Sequence, residues 1–109
     1  MLIDFNGIQE IKVPGMNGGI GEMTAKMYMD ECGKIIPSRI HAGGSIGSHR
    51  HETSDDINYI ISGTGKAICD GKEEVLKPGT CHICRKGSVH SITNTGNDDL
   101  VMLTVVVER

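Results

Sequence analysis

The pair His49 and His51, separated by one residue, is the first feature of this sequence that could do chemistry. In an extended strand alternate side chains point to the same face, so this spacing places both imidazoles side by side. Imidazole is the most common protein ligand for transition metals. Asp56 follows in the same glycine-rich segment, and His90 lies in a second one. Together the four residues predict a site for a divalent metal.

The spacing of these residues resembles the two signature motifs of the cupin superfamily. The first motif consists of Gly43, His49, His51, Asp56 and Gly63, and the second of Gly79, Arg85, Gly87, His90 and Asn94. Every spacing agrees with the family pattern, although Asp56 replaces the usual glutamate and Arg85 the usual proline. The resemblance implies an all-β, single-domain cupin jelly-roll β-barrel over residues 1–109. It also implies a metal at the barrel mouth, bound by His49, His51, His90 and the acidic residue.

The same resemblance implies iron or manganese as the usual metal, with nickel and zinc as further choices. Imidazole and carboxylate ligands accept all of these, so the ligand set does not select one. Because aspartate is one methylene shorter than glutamate, Asp56 either coordinates the metal, bonds to it through water, or orients an imidazole. In the last case a three-histidine site remains, which is similar to that of the thiol dioxygenase branch of the superfamily.

Two strands are expected to position substrate-binding residues beside the metal. If Asp56 points toward the metal, Asn58 and Ile60 share its face. The Asn58 amide then needs a hydrogen-bond partner, which is a substrate, a metal-bound water or a neighbouring strand. A second strand over 35–41 places Arg39 and His41 on one common face. These two side chains bind substrate if that face looks inward, and are solvated or interfacial if it looks outward.

The remaining chain reads as short strands and tight turns, because it has fifteen glycines, three aromatic residues and many β-branched residues. A strand over 23–31 presents a methionine-rich face, which either packs in the core or lines an apolar ligand cavity. The glycine-rich segment 15–21 is expected to be a flexible or bulged connection, since no convincing helix follows it. Asp70-Gly71 predicts a two-residue hairpin. The pattern amounts to nine or ten strands.

Composition narrows the classes of partner. The 109 residues include eleven basic and fourteen acidic side chains, giving a formal net charge of −3 without long runs. This argues against nucleic-acid and membrane-surface binding.

No leader or long apolar segment is visible, so a cytoplasmic location is expected. The four cysteines are then expected to be reduced. Cys81 and Cys84 are interpreted as ordinary strand residues, with a redox pair or metal ligation as alternatives.

The last predicted strand, 100–107, is apolar on both faces. Such a strand is buried between the core and a second layer, or lies at a dimer interface. With the cupin resemblance, this predicts a homodimer. The function indicated is a metal-dependent enzyme acting on a small polar or carboxylated molecule, as a dioxygenase, decarboxylase or isomerase. The alternative is a non-catalytic, metal-loaded module that binds or senses a small molecule.

Overall fold

The computed structural model describes residues 1–109 and contains eleven strands and two short 3₁₀ turns. The strands are β1 Ile11–Pro14, β2 Glu22–Ala25, β3 Tyr28–Asp30, β4 Gly33–Ile40, β5 Ser45–Arg50, β6 Ser54–Ser62, β7 Gly65–Cys69, β8 Lys72–Leu76, β9 Cys81–Cys84, β10 Val89–Asn94 and β11 Leu100–Glu108. The 3₁₀ turns are Phe5–Gly7 and Met16–Gly18. None of the helical segments is long and apolar enough to cross a membrane.

The strands form two antiparallel sheets. The large sheet has the order β1-β2-β4-β11-β6-β9, with β3 also paired to β4, and the small sheet has the order β5-β10-β7-β8. Their inner faces enclose the core and a cavity, as in a jelly roll. The predicted all-β jelly-roll fold is confirmed. Strand β11 lies at the centre of the large sheet, between β4 and β6. Its inward residues Leu100, Met102 and Thr104 are buried, and its outward residues are partly exposed.

The single strand predicted over 23–31 is two strands in the structure. Both β2 and β3 pair with β4 in one continuous register, but β2 ends at Ala25 and β3 begins at Tyr28. Opposite the gap lies Pro37, which has no N–H and leaves the ladder incomplete. Only the Lys26 N–H bonds there, donating to the Pro37 carbonyl at 3.0 Å. This interruption accounts for a strand number above the nine or ten predicted.

The side chains of β6 alternate between the inner and the outer face of the sheet, as the sequence predicts. Asp56, Asn58 and Ile60 are buried on the inner face, whereas Tyr59 and Ile61 are exposed on the outer one. The predicted hairpin is also present, with positive φ angles of 50° and 81° at Asp70 and Gly71 between β7 and β8. Two consecutive positive φ angles are the signature of a type I′ turn.

The hydrophobic core occupies one end of the space between the sheets. Its ten buried residues are Met23, Ala25, Ile40, Ile46, Ile60, Ala67, Leu76, Ile92, Leu100 and Met102. Toward the other end the inner faces become polar, because β5, β6 and β10 contribute histidine, aspartate and asparagine there. A functional site is therefore expected at this polar end of the fold.

The glycine-rich segment 15–21 packs against β5 and is not a free connection. The Ser45 amide donates to the Ile20 carbonyl at 2.8 Å, and the Ile20 amide donates to Ser45 Oγ at 3.0 Å. The contact is backbone to backbone: a Cβ on Gly47 would lie 2.1 Å from the Asn17 oxygen, and one on Gly19 would lie 2.1 Å from the Ser45 oxygen. Glycine is thus required at both positions by close approach.

All four cysteines are free thiols. Cys81 is exposed and Cys84 is buried, because residues three apart on a strand point to opposite faces. The two sulfurs therefore cannot act as one pair, and the interpretation as ordinary strand residues is the one that fits. Burial raises the pKa of Cys84 to about 12, which makes its thiol a poor nucleophile.

Candidate metal centre

Three histidines converge at the polar end of the barrel. His49 and His51 come from β5, and His90 comes from the neighbouring strand β10, directly opposite His49 in the ladder. The Nε2 atoms of His49 and His51 lie 3.0 Å apart, and those of His51 and His90 lie 2.9 Å apart. His90 is fully buried, while the other two rings are partly open to the cavity.

A bulge in β5 brings both histidines of this strand to the inner face. Ile92 of β10 pairs with Ile46, and His90 pairs with His49, so two steps on β10 match three on β5. Without the extra residue, Ile46 and His49 would point to opposite faces. Within the bulge the Gly47 carbonyl accepts a hydrogen bond from His49 Nδ1 at 2.8 Å. This bond leaves the Nε2 lone pair of His49 free to bind a metal.

His90 is oriented by a chain of two further side chains. Its Nδ1 lies 2.8 Å from Nε2 of His82, and Nδ1 of His82 lies 2.8 Å from Oε1 of Glu74. If each Nδ1 carries its proton, each donates to the next group, and the Nε2 lone pair of His90 faces the other histidines. His82 comes from β9 and Glu74 from β8, so the chain also joins the edges of the two sheets.

Asp56 completes the cluster. Its Oδ2 lies 3.4 Å from Nε2 of His51 and 3.3 Å from Nε2 of His90. Asn58 donates to the same oxygen at 3.0 Å and accepts from Thr104 Oγ1 at 2.8 Å, which satisfies its buried amide within the protein. Burial acts to raise the pKa of Asp56. It is outweighed by the hydrogen bond that His90 donates when its Nε2 carries a proton, by the hydrogen bond from Asn58, and by the attraction of His51 when that ring is charged. The pKa therefore lies below its ordinary value, and the carboxylate is ionised.

The donor set fits a divalent transition metal. Nitrogens bound at about 2.0–2.1 Å and at right angles around a metal are about 2.9 Å apart, which matches the spacing of the Nε2 atoms. Three unprotonated lone pairs at this separation repel one another unless a cation lies between them. His49, His51 and His90 are thus the residues that would hold a metal, with Asp56 beside them.

Asp55 and Arg85 do not take part in the histidine cluster. Asp55 points away from the histidines, accepting from the Lys86 amide at 2.8 Å and pairing with Arg85 at 3.3 Å and Arg109 at 3.6 Å. It anchors the turn between β9 and β10. Arg85, the residue in place of proline, is engaged in this contact and does not line the cavity.

Arg39 and His41, predicted as substrate-binding residues, lie on the outer face of the large sheet. Arg39 pairs with Glu10 at 2.7 Å, and His41 Nδ1 lies 2.9 Å from Asp99. Neither residue lines the cavity. The inner face of β4 instead carries the residues of even number, from Lys34 to Ile40. The face that carries Arg39 and His41 therefore points outward, which is the second of the two alternatives that the sequence left open.

A cavity of about 470 Å³ opens beside the histidines. Its polar end includes Asn58, the third predicted substrate-binding residue, and Thr104. Apolar side chains from six strands form much of the rest, among them Val13, Met23, Ile36, Ile46, Ile92 and Met102. Met23 and Met27 both line it, so the methionine-rich face serves the core and the cavity together.

Sequence reasoning missed His82 and Glu74. The only available signal was the alternation of Cys81-His82-Ile83-Cys84, which places His82 on the same face as Cys84. Nothing in the sequence indicates that the edge strands β8 and β9 meet, since they pair with other strands.

Comparison with known proteins identifies the family. Residues 38–106 match the model of the Cupin domain, and this range contains all three histidines of the cluster and Asp56. The chain belongs to the cupin family. The family assignment agrees with both signature motifs and with the jelly-roll topology.

A sequence comparison and a structure comparison, both with Thermotoga maritima, illustrate what this cupin is similar to. An oxalate-binding protein is 32% identical over 113 aligned residues, covering 98% of this chain and 93% of that protein. The crystal structure of a predicted oxalate decarboxylase superposes with a TM-score of 0.92 at 30% identity, with complete coverage of both chains.

More distant relatives share the fold. Pectin degradation protein KdgF of Dickeya dadantii is 26% identical over 62% of this cupin and 63% of its own length. The structure of KdgF from a Halomonas species has a TM-score of 0.70 at 20% identity, covering 80% of each chain. At that identity the similarity concerns the fold alone.

Proposed function

We propose that this cupin is a metal-dependent enzyme acting on a small carboxylated molecule. The observation that supports this most directly is the convergence of three imidazole nitrogens on one point at the wall of a cavity. Four protein ligands at most leave coordination positions open for a substrate, which distinguishes a catalytic from a structural metal site. The relatives named for oxalate binding and oxalate decarboxylation support an organic acid as the substrate.

In this proposal each residue has a defined task. His49, His51 and His90 would hold the metal, which when bound supplies Lewis acidity to a coordinated carboxylate. Asp56 supplies the fourth ligand or accepts a hydrogen bond from metal-bound water, and Asn58 fixes the position of its Oδ2 atom. Iron and manganese are the metals we expect first, with nickel and zinc as alternatives, since all accept nitrogen and oxygen ligands.

Elemental analysis of protein purified without a histidine tag or chelator tests the metal centre. We expect about one equivalent of metal per chain and its loss in the double variant H49A/H51A, which lacks two of the three imidazoles. The single variant D56A decides the role of Asp56. Metal lost or weakened in D56A supports a four-ligand site, whereas a full equivalent supports a three-histidine centre. Absence of metal under every loading condition would exclude the proposed enzyme.

A non-catalytic binding module is the second candidate, and the name of the oxalate-binding relative favours it. Incubation of the metal-loaded protein with a panel of small carboxylic acids separates the two candidates. An enzyme consumes at least one acid over time, whereas a binding module is stabilised by its ligand and leaves the amount of that acid unchanged. Mass spectrometry of the acids and melting temperatures of the protein give both results from the same samples.

A further inference from the structure

Lys34 is a basic residue in the same row of the large sheet as Asp56 of the candidate metal centre. It lies on β4 opposite Val106 of β11, and Val106 in turn lies opposite Asp56 of β6. These three side chains form one transverse row on the inner face of the large sheet. Adjacent strands are about 4.8 Å apart, so the backbones of Lys34 and Asp56 are separated by roughly 10 Å. The long lysine side chain bridges much of that distance.

Lys34 has no anionic partner within the protein. Arg39, Arg85 and Arg109 each pair with a carboxylate, and Arg50, which also lines the cavity, donates to the Gly87 carbonyl. Lys34 lines the cavity without an ion pair or a side-chain hydrogen bond. An unpaired cation inside a cavity is a recognition element for an anion.

Beyond Lys34 the cavity wall becomes apolar. The next inward residue of β4 is Ile36, which lies opposite Thr104 of β11. Met102 of β11, one row further along, and Ile46 of β5 also line the cavity. Cavities of about 300–1,000 Å³ enclose drug-sized ligands, so a two-carbon diacid would leave most of the 470 Å³ empty. Ser38 adds a hydroxyl to this wall, and its buried Oγ has no hydrogen-bond partner.

We propose that the cavity binds an organic acid with an apolar body, its carboxylate held between the histidine cluster and the Lys34 ammonium. The apolar body then extends along Ile36 and Met102 toward the core. This deepens the proposed function and rests on it, because the carboxylate is placed at the metal centre. Lys34 is the residue that orients the acid, and the apolar wall selects for chain length.

The test measures dissociation constants of acetate, butanoate, hexanoate and oxalate by calorimetry for metal-loaded wild type, K34M and K12M. Methionine keeps the length of lysine and removes its charge. Lys12 is the matched control, since it is an exposed strand residue outside the cavity. Metal content and melting temperature of each sample are measured first, so that a loss of metal or of fold is recognised.

The expected result has two parts. Affinity rises with chain length, by up to roughly fourfold per methylene buried, and hexanoate binds more tightly than oxalate. Hexanoate binding weakens by roughly 10-fold or more in K34M, because a hydrogen bond to a charged group is lost, and is unchanged in K12M.

Three outcomes would overturn the proposal. If affinity does not depend on chain length, the ligand needs no apolar body. If K34M binds hexanoate as tightly as the wild type does, Lys34 does not bind the carboxylate. If only oxalate binds tightly, the ligand is a small diacid. All three leave the proposed metal-dependent function intact when metal is present. If no metal is bound but hexanoate binding still depends on Lys34, the ligand class stands and the metal-dependent function fails.

Discussion

His82 connects the charge of Glu74 to a buried histidine of the candidate metal centre. His82 and His90 are each 1% exposed, so the two imidazoles lie in the protein interior, whereas the Glu74 side chain is 41% exposed. Outer hydrogen-bond partners of this kind fix the tautomer of a ligating imidazole and raise its basicity. Here the Glu74 carboxylate contacts His82 and not His90 itself, so the hydrogen-bonded chain is one residue longer.

At the residue scale we therefore expect E74Q to weaken metal binding by roughly 10-fold. Glutamine keeps a hydrogen-bond acceptor for His82 but removes the negative charge. Competition with a chromophoric chelator measures the affinity, and the absorption spectrum of the Co²⁺ form reports on the ligand field.

Glu73 provides the control for this variant, since it is the adjacent exposed glutamate of β8 and bonds to no histidine. E73Q should bind metal as the wild type does. If E74Q lowers the melting temperature while its metal affinity and Co²⁺ spectrum match those of E73Q, Glu74 only joins the sheets.

At the element scale the close contact between β5 and the glycine-rich segment determines the shape of the site. Gly47 lies in the β5 bulge between Ile46 and His49, and the segment that packs on it contributes Met16 and Asn17 to the cavity wall. The bulge and the wall therefore depend on the same backbone contact. A side chain at Gly47 must displace the segment, because its Cβ would meet backbone atoms.

We expect G47A to destabilise the protein by about 1–3 kcal/mol, the range found for overpacked sites. Urea unfolding followed by circular dichroism gives the free energy of unfolding. The control is G7A, because a Cβ on Gly7 would meet nothing within 4 Å. Equal stabilities of the two variants would mean that the segment moves aside without cost.

At the scale of the whole molecule, the outer face of the large sheet carries an apolar surface. Tyr59 and Ile61 of β6 are 47% and 52% exposed, Ile83 of β9 is 38% exposed, and Leu103 and Val105 of β11 lie between these strands and β4. This surface and the predicted homodimer lead us to propose that two chains pack through it.

Sedimentation velocity at micromolar concentration tests the dimer, with an expected mass of twice 11.7 kDa. An aspartate at the centre of an apolar interface is desolvated without a partner, so L103D should sediment as a monomer. V75D is the control, since Val75 is 74% exposed on β8 of the other sheet. A wild-type mass near 11.7 kDa, or an L103D variant that remains dimeric, would contradict this interface.

The sequence by itself determined the features that depend on local spacing. The glycine and histidine spacings indicated the cupin fold, and the two-residue period of β6 showed that Asp56, Asn58 and Ile60 share one face. The Asp70-Gly71 hairpin followed from the positive φ angles that these residues tolerate. Each of these features involves neighbours along the chain or a single recurring motif, so no knowledge of packing was needed.

Only the tertiary structure decided which face of β4 points inward. Both faces of this strand mix apolar and polar residues, with Lys34 and Ser38 on one and Arg39 and His41 on the other. Periodicity shows which residues share a face but cannot say which face is buried when their polarity is equal. Likewise, the contact of Glu74 with His82 depends on two edge strands that meet only when the sheets close. Burial and sheet packing, which act between residues far apart in the chain, therefore determine the wall of the site.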